Sequence, residues 1–132
     1  MERTLAIVKP DGVRKGLIGE IISRYEKKGL MISELKMVNP DEDILEKHYH
    51  EHTGKPFYKG LIQFMMSGKV VVMIVSGDQA VESVRMINGA TNPLKADSGS
   101  IRGCYAISIT ENIVHGSDSI ESAEREINIW FN

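Results

Sequence analysis

The sequence of 132 residues has little cysteine, little net charge and no long apolar run. Cys104 is the only cysteine, so no disulfide can form within the chain, as is usual in a reducing compartment. The net charge of −2 gives no general attraction to nucleic acid or to an anionic membrane, so any basic site must be local. The N-terminal residues enter a strand-like run without a signal peptide. We therefore expect a cytoplasmic protein.

The familiar phosphate-binding signatures are missing as well. The chain has neither a G-x-x-x-x-G-K-[ST] loop nor a G-x-G-x-x-G fingerprint, and it lacks the protein-kinase motifs. Repeats, linkers and low-complexity tracts are absent. The hydrophobic fraction of 42% and the charged fraction of 26% are ordinary for a globular protein. We expect one domain over residues 1–132, which must bind any nucleotide by another route.

Hydrophobic periodicity predicts four strands, several helices and one long loop. The strands are expected at Thr4–Lys9, Leu30–Val38, Val70–Val75 and Tyr105–Ile109. The helices are expected between Asp11 (as a cap) and Gly29, at Asp41–His52, Phe57–Met66 and Ala80–Ile87, and along a closing stripe from Ile120 to Trp130. Periodicity disappears between Asn88 and Gly103, and a loop that long is usually functional or disordered.

The order of these elements favours an α+β fold. We expect a ferredoxin-like βαββαβ sandwich with a four-stranded antiparallel sheet, added helices and a long loop before the last strand. Because strands and helices nearly alternate, a doubly wound parallel sheet is the alternative.

Residues 112–118, which read Asn-Ile-Val-His-Gly-Ser-Asp, are the most informative local pattern. His115 stands beside Gly116, which allows a ligand to approach the backbone closely, and Ser117 and Asp118 can cap the closing helix. An imidazole held in this way suits nucleophilic or acid–base catalysis if a side chain fixes its second nitrogen. These seven residues alone leave an incidental surface loop as an equal alternative.

Cationic side chains flank the predicted long loop. Arg85 precedes it and Arg102 ends it, with Thr91 between them, and guanidinium groups bind phosphate oxygens through a planar fork. Lys9 closes the first strand directly before Pro10, at a strand end of the kind where α/β proteins place ligands. These residues together suggest a polyphosphate clamp. Solvated surface arginines and a lysine extending from the sheet edge are the alternatives.

Two further patterns lie between residues 48 and 58. His48 and His52 share one helical face, but two histidines are too few for a structural zinc site and Cys104 lies far away in sequence. No protein-ligated metal is therefore expected. Tyr49 could lean over a pocket. Phe57, at the start of a helix, could stack on a nucleobase, with core packing as the alternative.

Together these patterns resemble the nucleoside diphosphate kinases nearly from end to end. The most specific segments are N-x-x-H-G-S-D at 112–118, G-A-T-N-P at 89–93 and S-I-R-G at 100–103. The resemblance implies a ping-pong transfer of the γ-phosphate of a nucleoside triphosphate (ATP) to a nucleoside diphosphate. It also implies a phosphohistidine on Nδ1 of His115 and an enzyme that maintains the NTP and dNTP pools.

The resemblance further implies roles for individual residues. His115 is the expected nucleophile, Glu126 the carboxylate that orients it, Ser117 the support of that pair, and Tyr49 a neighbour of the nucleophile. The residues expected to contact phosphate are Lys9, Arg85, Thr91 and Arg102. Asn112, with Lys9, is expected to contact the sugar, and Phe57 the base. Mg²⁺ is the expected cofactor, held mainly by nucleotide phosphates and water.

The implied partners are nucleotides, with no nucleic acid as a main role, no membrane, and a homo-oligomer. Hexamer and tetramer both stay open, because the chain stops at Asn132 without the extension of longer members. Lys69 and Ser98 stand where many members have proline, which concerns loop rigidity and subunit contacts. Cys104 stands at a position that is frequently acidic. None of these departures touches a catalytic position.

Two other functions are alternatives to this one. A nucleotide-sensing domain that lost the chemistry is disfavoured, because the nucleophile, its carboxylate partner and the phosphate contacts remain. An RNA-binding sandwich is disfavoured by the net charge of −2 and by strands without an aromatic platform.

Overall fold

Four strands form one antiparallel sheet in the computed structural model, which describes residues 1–132 without a gap. The strands are β1 (Glu2–Val8), β2 (Met31–Val38), β3 (Val70–Gly77) and β4 (Val114–Gly116). Their spatial order is β2-β3-β1-β4, and each neighbouring pair is antiparallel. The predicted ferredoxin-like α+β fold is confirmed, and the parallel doubly wound alternative is wrong.

Seven α-helices and two short 3-10 helices complete the fold. They are α1 (Pro10–Arg14), α2 (Ile18–Lys27), α3 (Glu42–His48), α4 (Tyr58–Met65), α5 (Ala80–Asn88), α6 (Ile101–Tyr105), α7 (Ile120–Trp130), and the 3-10 helices His50–His52 and Pro93–Lys95. Asp41, Ser100 and Ser119 each cap the helix that follows, since their side-chain oxygens accept the backbone N–H three residues later at 2.9–3.0 Å. None of these helices combines the length and the apolar character needed to span a membrane.

Strand β1 lies inside the sheet and is covered on both faces. Successive side chains of a strand point to opposite faces, so alternate residues of β1 enter different hydrophobic clusters. Ile7 joins the cluster that contains Trp130 of α7, and Val8 joins the cluster that contains Tyr25 of α2. All four side chains are at most 2% exposed. This packing fixes the end of β1, where Lys9 follows, and holds α7 against the sheet.

The prediction of a strand at Tyr105–Ile109 is wrong. Tyr105 ends α6, and the fourth strand is instead Val114–Gly116, which pairs with β1. Two of the apolar residues that suggested a strand lie in an exposed loop, where Ile107 is 84% and Ile109 57% accessible. The correction matters because the true strand contains His115.

Other boundaries also differ from the prediction. The helix expected from Asp11 to Gly29 is two helices, separated by a turn in which Gly16 has a φ of +72°, a value that glycine adopts readily. Asp11 lies inside α1 and does not cap it. Neither Ser117 nor Asp118 caps α7, because Ser119 does. The helix predicted to reach His52 ends at His48, and α6 shortens the predicted long loop.

Candidate active site

One open cleft of about 1450 Å³ collects most of the residues that the sequence singled out. The predicted site residues that line it are Lys9, Tyr49, Phe57, Arg85, Thr91, Arg102, Asn112, His115 and Glu126. Ser117 is the exception, since it is fully buried beneath Glu126. These residues come from segments far apart in sequence, so only the fold brings them together.

His115 lies in β4 with one of its imidazole nitrogens held by α7. Its Nε2 lies 2.7 Å from Oε1 of Glu126, and the Ser117 hydroxyl donates to the same oxygen at 2.7 Å. An ionised carboxylate can only accept hydrogen bonds, so Nε2 carries the proton and the neutral ring keeps its lone pair on Nδ1. The arrangement therefore leaves a nucleophilic nitrogen on a side chain that lines the cleft.

Two opposing effects act on the Glu126 carboxyl group. Burial alone would raise its pKa. The hydrogen bond from His115, the attraction to His115 and His48 in their protonated forms, and the hydrogen bond from Ser117 lower the pKa and together outweigh burial. The net result is a pKa below the ordinary value, so Glu126 stays ionised in spite of its burial.

The backbone just before His115 is held in an uncommon conformation. Ile113 has a φ of 76°, in the left-handed region that a β-branched residue rarely adopts. Its carbonyl accepts the Lys9 N–H at 2.8 Å, and its own N–H donates to Oδ2 of Asp11 at 3.0 Å. These two contacts hold the chain as it turns into β4. After His115, a Cβ at Gly116 would lie 2.9 Å from Nδ2 of Asn88, so a larger residue there would displace the Asn88 side chain.

Two buried cations lie near His115. Lys9 is 9% exposed, and its Nζ donates to Oδ1 of Asn112 at 2.8 Å. Burial, with a smaller contribution from Arg102, lowers the pKa of Lys9 to about 8 although Asp11 opposes it. Arg102 donates to the carbonyls of Asn112, Gly89 and Val114 at 3.2, 2.7 and 2.6 Å. Burial lowers the pKa of Arg102 to about 10, so it stays charged at neutral pH. Guanidinium carries five N–H groups, so Arg102 can tie the loop together and still bind an anion.

The remaining predicted residues form the rim of the cleft. Arg85 projects from α5, and the Thr91 carbonyl accepts the Asn112 amide at 3.0 Å. Phe57 precedes α4 and is 50% exposed, and the His52 ring packs edge-to-face against it with the ring centroids 5.3 Å apart. The structure thus gives Phe57 an open ring face rather than a place in the core.

His48 and Trp130 also lie at His115, which the sequence did not predict. His48 is buried, and its ring packs edge-to-face against His115 with centroids 4.6 Å apart. Trp130 donates its indole N–H to Nδ1 of His48 at 3.0 Å. The only signal in the sequence was that His48 stands next to Tyr49. The contact with Trp130 could not be predicted, because the two residues are 82 positions apart. Next to His48, the Tyr49 hydroxyl is buried without a hydrogen-bond partner, and burial raises the pKa of Tyr49 above its ordinary value.

One group of side chains has the composition of a metal site. His48, His115 and Glu126 each offer a ligand atom within 4.8 Å of the others. In this arrangement, however, the Trp130 N–H occupies Nδ1 of His48, so the proton of the neutral ring is on Nε2 and neither nitrogen has a free lone pair. The expectation of no protein-ligated metal stays a prediction.

Comparison with known proteins identifies the family. A family model for nucleoside diphosphate kinase matches residues 2–132. The chain belongs to the nucleoside diphosphate kinase family. As a member it is a transferase of the kinase class, and the resemblance stated from its motifs is confirmed.

Similar members of the nucleoside diphosphate kinase family come from distant organisms. A nucleoside diphosphate kinase of Thermoanaerobacter sp. (strain X514) is 61% identical over 131 residues, which cover 99% of this chain and 97% of that protein. Nucleoside diphosphate kinase 1 of Zea mays is 53% identical, with coverage of 99% and 88%. The crystal structure of an apo nucleoside diphosphate kinase from Encephalitozoon cuniculi superposes with a TM-score of 0.97 at 44% identity, and it covers 99% of this chain and 89% of that one.

Proposed function

We propose that this chain transfers the γ-phosphate of a nucleoside triphosphate, ATP included, to a nucleoside diphosphate through a phosphohistidine on His115. The observation that carries the proposal is the 2.7 Å hydrogen bond between Nε2 of His115 and Glu126. Because this contact fixes the proton on Nε2, the lone pair of Nδ1 is free for attack.

The reaction has two half-reactions with the same chemistry. In the first, Nδ1 of His115 forms a bond to the γ-phosphorus, and the bond between that phosphorus and the β–γ bridging oxygen breaks, so that a nucleoside diphosphate leaves. The ring becomes cationic, and the ionised Glu126 stabilises it through Nε2–H. In the second, a terminal oxygen of another nucleoside diphosphate attacks the phosphorus, and the N–P bond breaks. His115 returns to its neutral form.

Positive charge at the cleft supports the transfer step. The moving phosphoryl group spreads negative charge over its oxygens, so catalysis depends on positioning and on cations. Lys9 and Arg102 are held by buried hydrogen bonds, and Arg85 adds a third cation at the rim. Thr91 adds a hydroxyl donor. Mg²⁺, when bound, supplies further charge neutralisation. Because the neighbouring lysine and arginine side chains are cations and do not ligate Mg²⁺, the metal ion would be held mainly by phosphate oxygens and water.

The sugar and the base are assigned to the outer part of the cleft. Asn112 contacts both Lys9 and the Thr91 carbonyl, so its amide is oriented for a ribose hydroxyl. Phe57 presents a half-exposed ring for stacking, and stacking accepts every base because each has a π-face. Broad base tolerance would suit an enzyme that balances NTP and dNTP pools. The homo-oligomer and the cytoplasmic location stay predictions.

The test is direct labelling of the protein. After incubation with γ-labelled ATP and Mg²⁺ and removal of nucleotide, we expect an acid-labile, base-stable label that passes to GDP or CDP. His115→Ala should abolish it. His50→Ala is the matched control, because His50 is an exposed histidine outside the cleft. Label that persists in His115→Ala would contradict the assigned nucleophile, and label that never passes to GDP or CDP would contradict the kinase reaction.

A further inference from the structure

His48 is a buried histidine that has no role in the phosphate transfer described above. It lies at the end of α3, is 2% exposed and lines the cleft. Its ring packs edge-to-face against both His115 and Tyr49, with centroid distances of 4.6 and 4.5 Å. A polar ring placed at the nucleophile costs free energy unless its nitrogens find partners.

Trp130 determines which nitrogen of His48 carries the proton. The indole N–H can only donate, and it donates to Nδ1 of His48 at 3.0 Å, so Nδ1 must be unprotonated. Burial, followed by repulsion from the protonated form of His115, keeps the pKa of His48 well below its ordinary value, so the ring is neutral. The proton of His48 is therefore on Nε2, and Trp130 keeps it there.

The Nε2–H of His48 has no acceptor within the protein. The Trp130 contact is the one side-chain hydrogen bond that His48 makes. The neighbouring hydroxyl of Tyr49 is likewise unpaired, but it is fully buried, whereas Nε2 of His48 is not fully enclosed. His48 and Tyr49 both line the cleft next to His115, so an oxygen of a group bound in the cleft is an available acceptor for Nε2–H of His48.

We propose that Nε2–H of His48, held in place by Trp130, donates a hydrogen bond to an oxygen of the phosphoryl group on its way to and from His115. This inference rests on the proposed function, because that group exists only if His115 is phosphorylated. A donor aimed at charge that develops during transfer lowers the barrier without tightening substrate binding. His48 is then a binding residue for the transferred group, complementing the cations around the other phosphates.

Two substitutions separate this role from a structural one. His48→Gln retains an N–H near the position of Nε2, whereas His48→Asn retains an acceptor for Trp130 near Nδ1 but withdraws the donor. At saturating ATP we expect His48→Asn to form the phosphoenzyme about 10- to 100-fold more slowly, as for a lost hydrogen bond to a charged group. His48→Gln should be slowed only a few-fold, and the KM for ATP should change little in either variant.

The opposite order of the two variants would overturn the inference. If His48 served only to hold Trp130, His48→Asn would be the milder change. Equal losses in both variants, or a loss confined to KM, would overturn it as well. Thermal unfolding of each variant, followed by circular dichroism, identifies any loss that is due to unfolding.

A spectroscopic measurement on the unmodified chain needs no variant. Long-range ¹H–¹⁵N correlation spectra should show His48 as the Nε2–H tautomer, and phosphorylation of His115 should move that proton downfield. An Nδ1–H tautomer, or an unmoved proton, would contradict the inference while the proposed function stood. If the chain took no label on His115, the proposed function would fail first and this inference with it, so the two failures are distinguishable.

Discussion

Replacement of the Glu126 carboxylate is the perturbation that examines the site most closely. Oε1 alone accepts both strong hydrogen bonds, from His115 and from Ser117, at 2.7 Å each. Oε2 lies 3.7 Å from a nitrogen of Arg125, a side chain that is 34% exposed, so that contact contributes little. In Glu126→Gln the amide oxygen can take the place of Oε1. The variant therefore removes the negative charge and keeps the tautomer of His115.

The expected loss follows from the strength of these hydrogen bonds. A hydrogen bond to a charged group contributes about 1.5–3 kcal/mol, and one between neutral groups about 0.5–1.5 kcal/mol. The difference of about 1–1.5 kcal/mol corresponds to a roughly ten-fold lower kcat for Glu126→Gln. Glu126→Ala also leaves the imidazole N–H and the Ser117 hydroxyl without their acceptor. We expect about a further ten-fold loss from it.

The assay is the rate of phosphate transfer from ATP to GDP, with single-turnover labelling to isolate the first half-reaction. Equal losses in Glu126→Gln and Glu126→Ala would refute the reasoning. In that case the amide would have turned its NH₂ toward the ring, moving the proton to Nδ1 and destroying the nucleophile. An unchanged Glu126→Gln would refute it too, because the charge would then contribute nothing.

Three other predictions concern pH and the base. Because the pKa of Glu126 is lowered in the folded state, its ionised carboxylate stabilises the fold above pH 4.5. This stabilisation is lost as the pH falls through the pKa of Glu126 in the folded protein. The free energies of unfolding of the wild type and Glu126→Gln, measured in urea, should therefore converge in acid. Because the pKa of Lys9 is about 8, calorimetry should show nucleotide affinity falling as the pH rises through that value, and Lys9→Met should remove this dependence. Phe57→Ala should raise KM about 5- to 150-fold for ATP, GTP and CTP alike, with kcat nearly unchanged.

Each of these has a contrary result. A stability gap between the wild type and Glu126→Gln that widens in acid would contradict the direction of the Glu126 shift. A pH dependence of affinity that survives in Lys9→Met would assign the titration to another group. A loss in Phe57→Ala restricted to one base would mean that the cleft reads base edges.

Local motifs carried most of the site prediction. Short segments of sequence were enough to single out three parts of the predicted site: the residues around His115, the loop before Arg102 and the strand end at Lys9. The same local reasoning failed at Tyr105–Ile109, where an apolar run resembles a strand although Ile107 is 84% exposed. Periodicity does not say whether a core is available to cover an apolar residue.

The sequence by itself favoured the α+β class and supplied the resemblance to the family and the list of residues with suitable chemistry, since these depend on periodicity and on motif order. The antiparallel pairing that excludes the doubly wound alternative is visible only in the tertiary structure. The tertiary structure decided which nitrogen carries the proton on each of two histidines. Glu126 fixes the proton of His115 from a separate element, and Trp130 fixes that of His48 across 82 residues. A tautomer depends on the position of one donor or acceptor to within a few tenths of an ångström, and only the packing of α3, β4 and α7 sets that position.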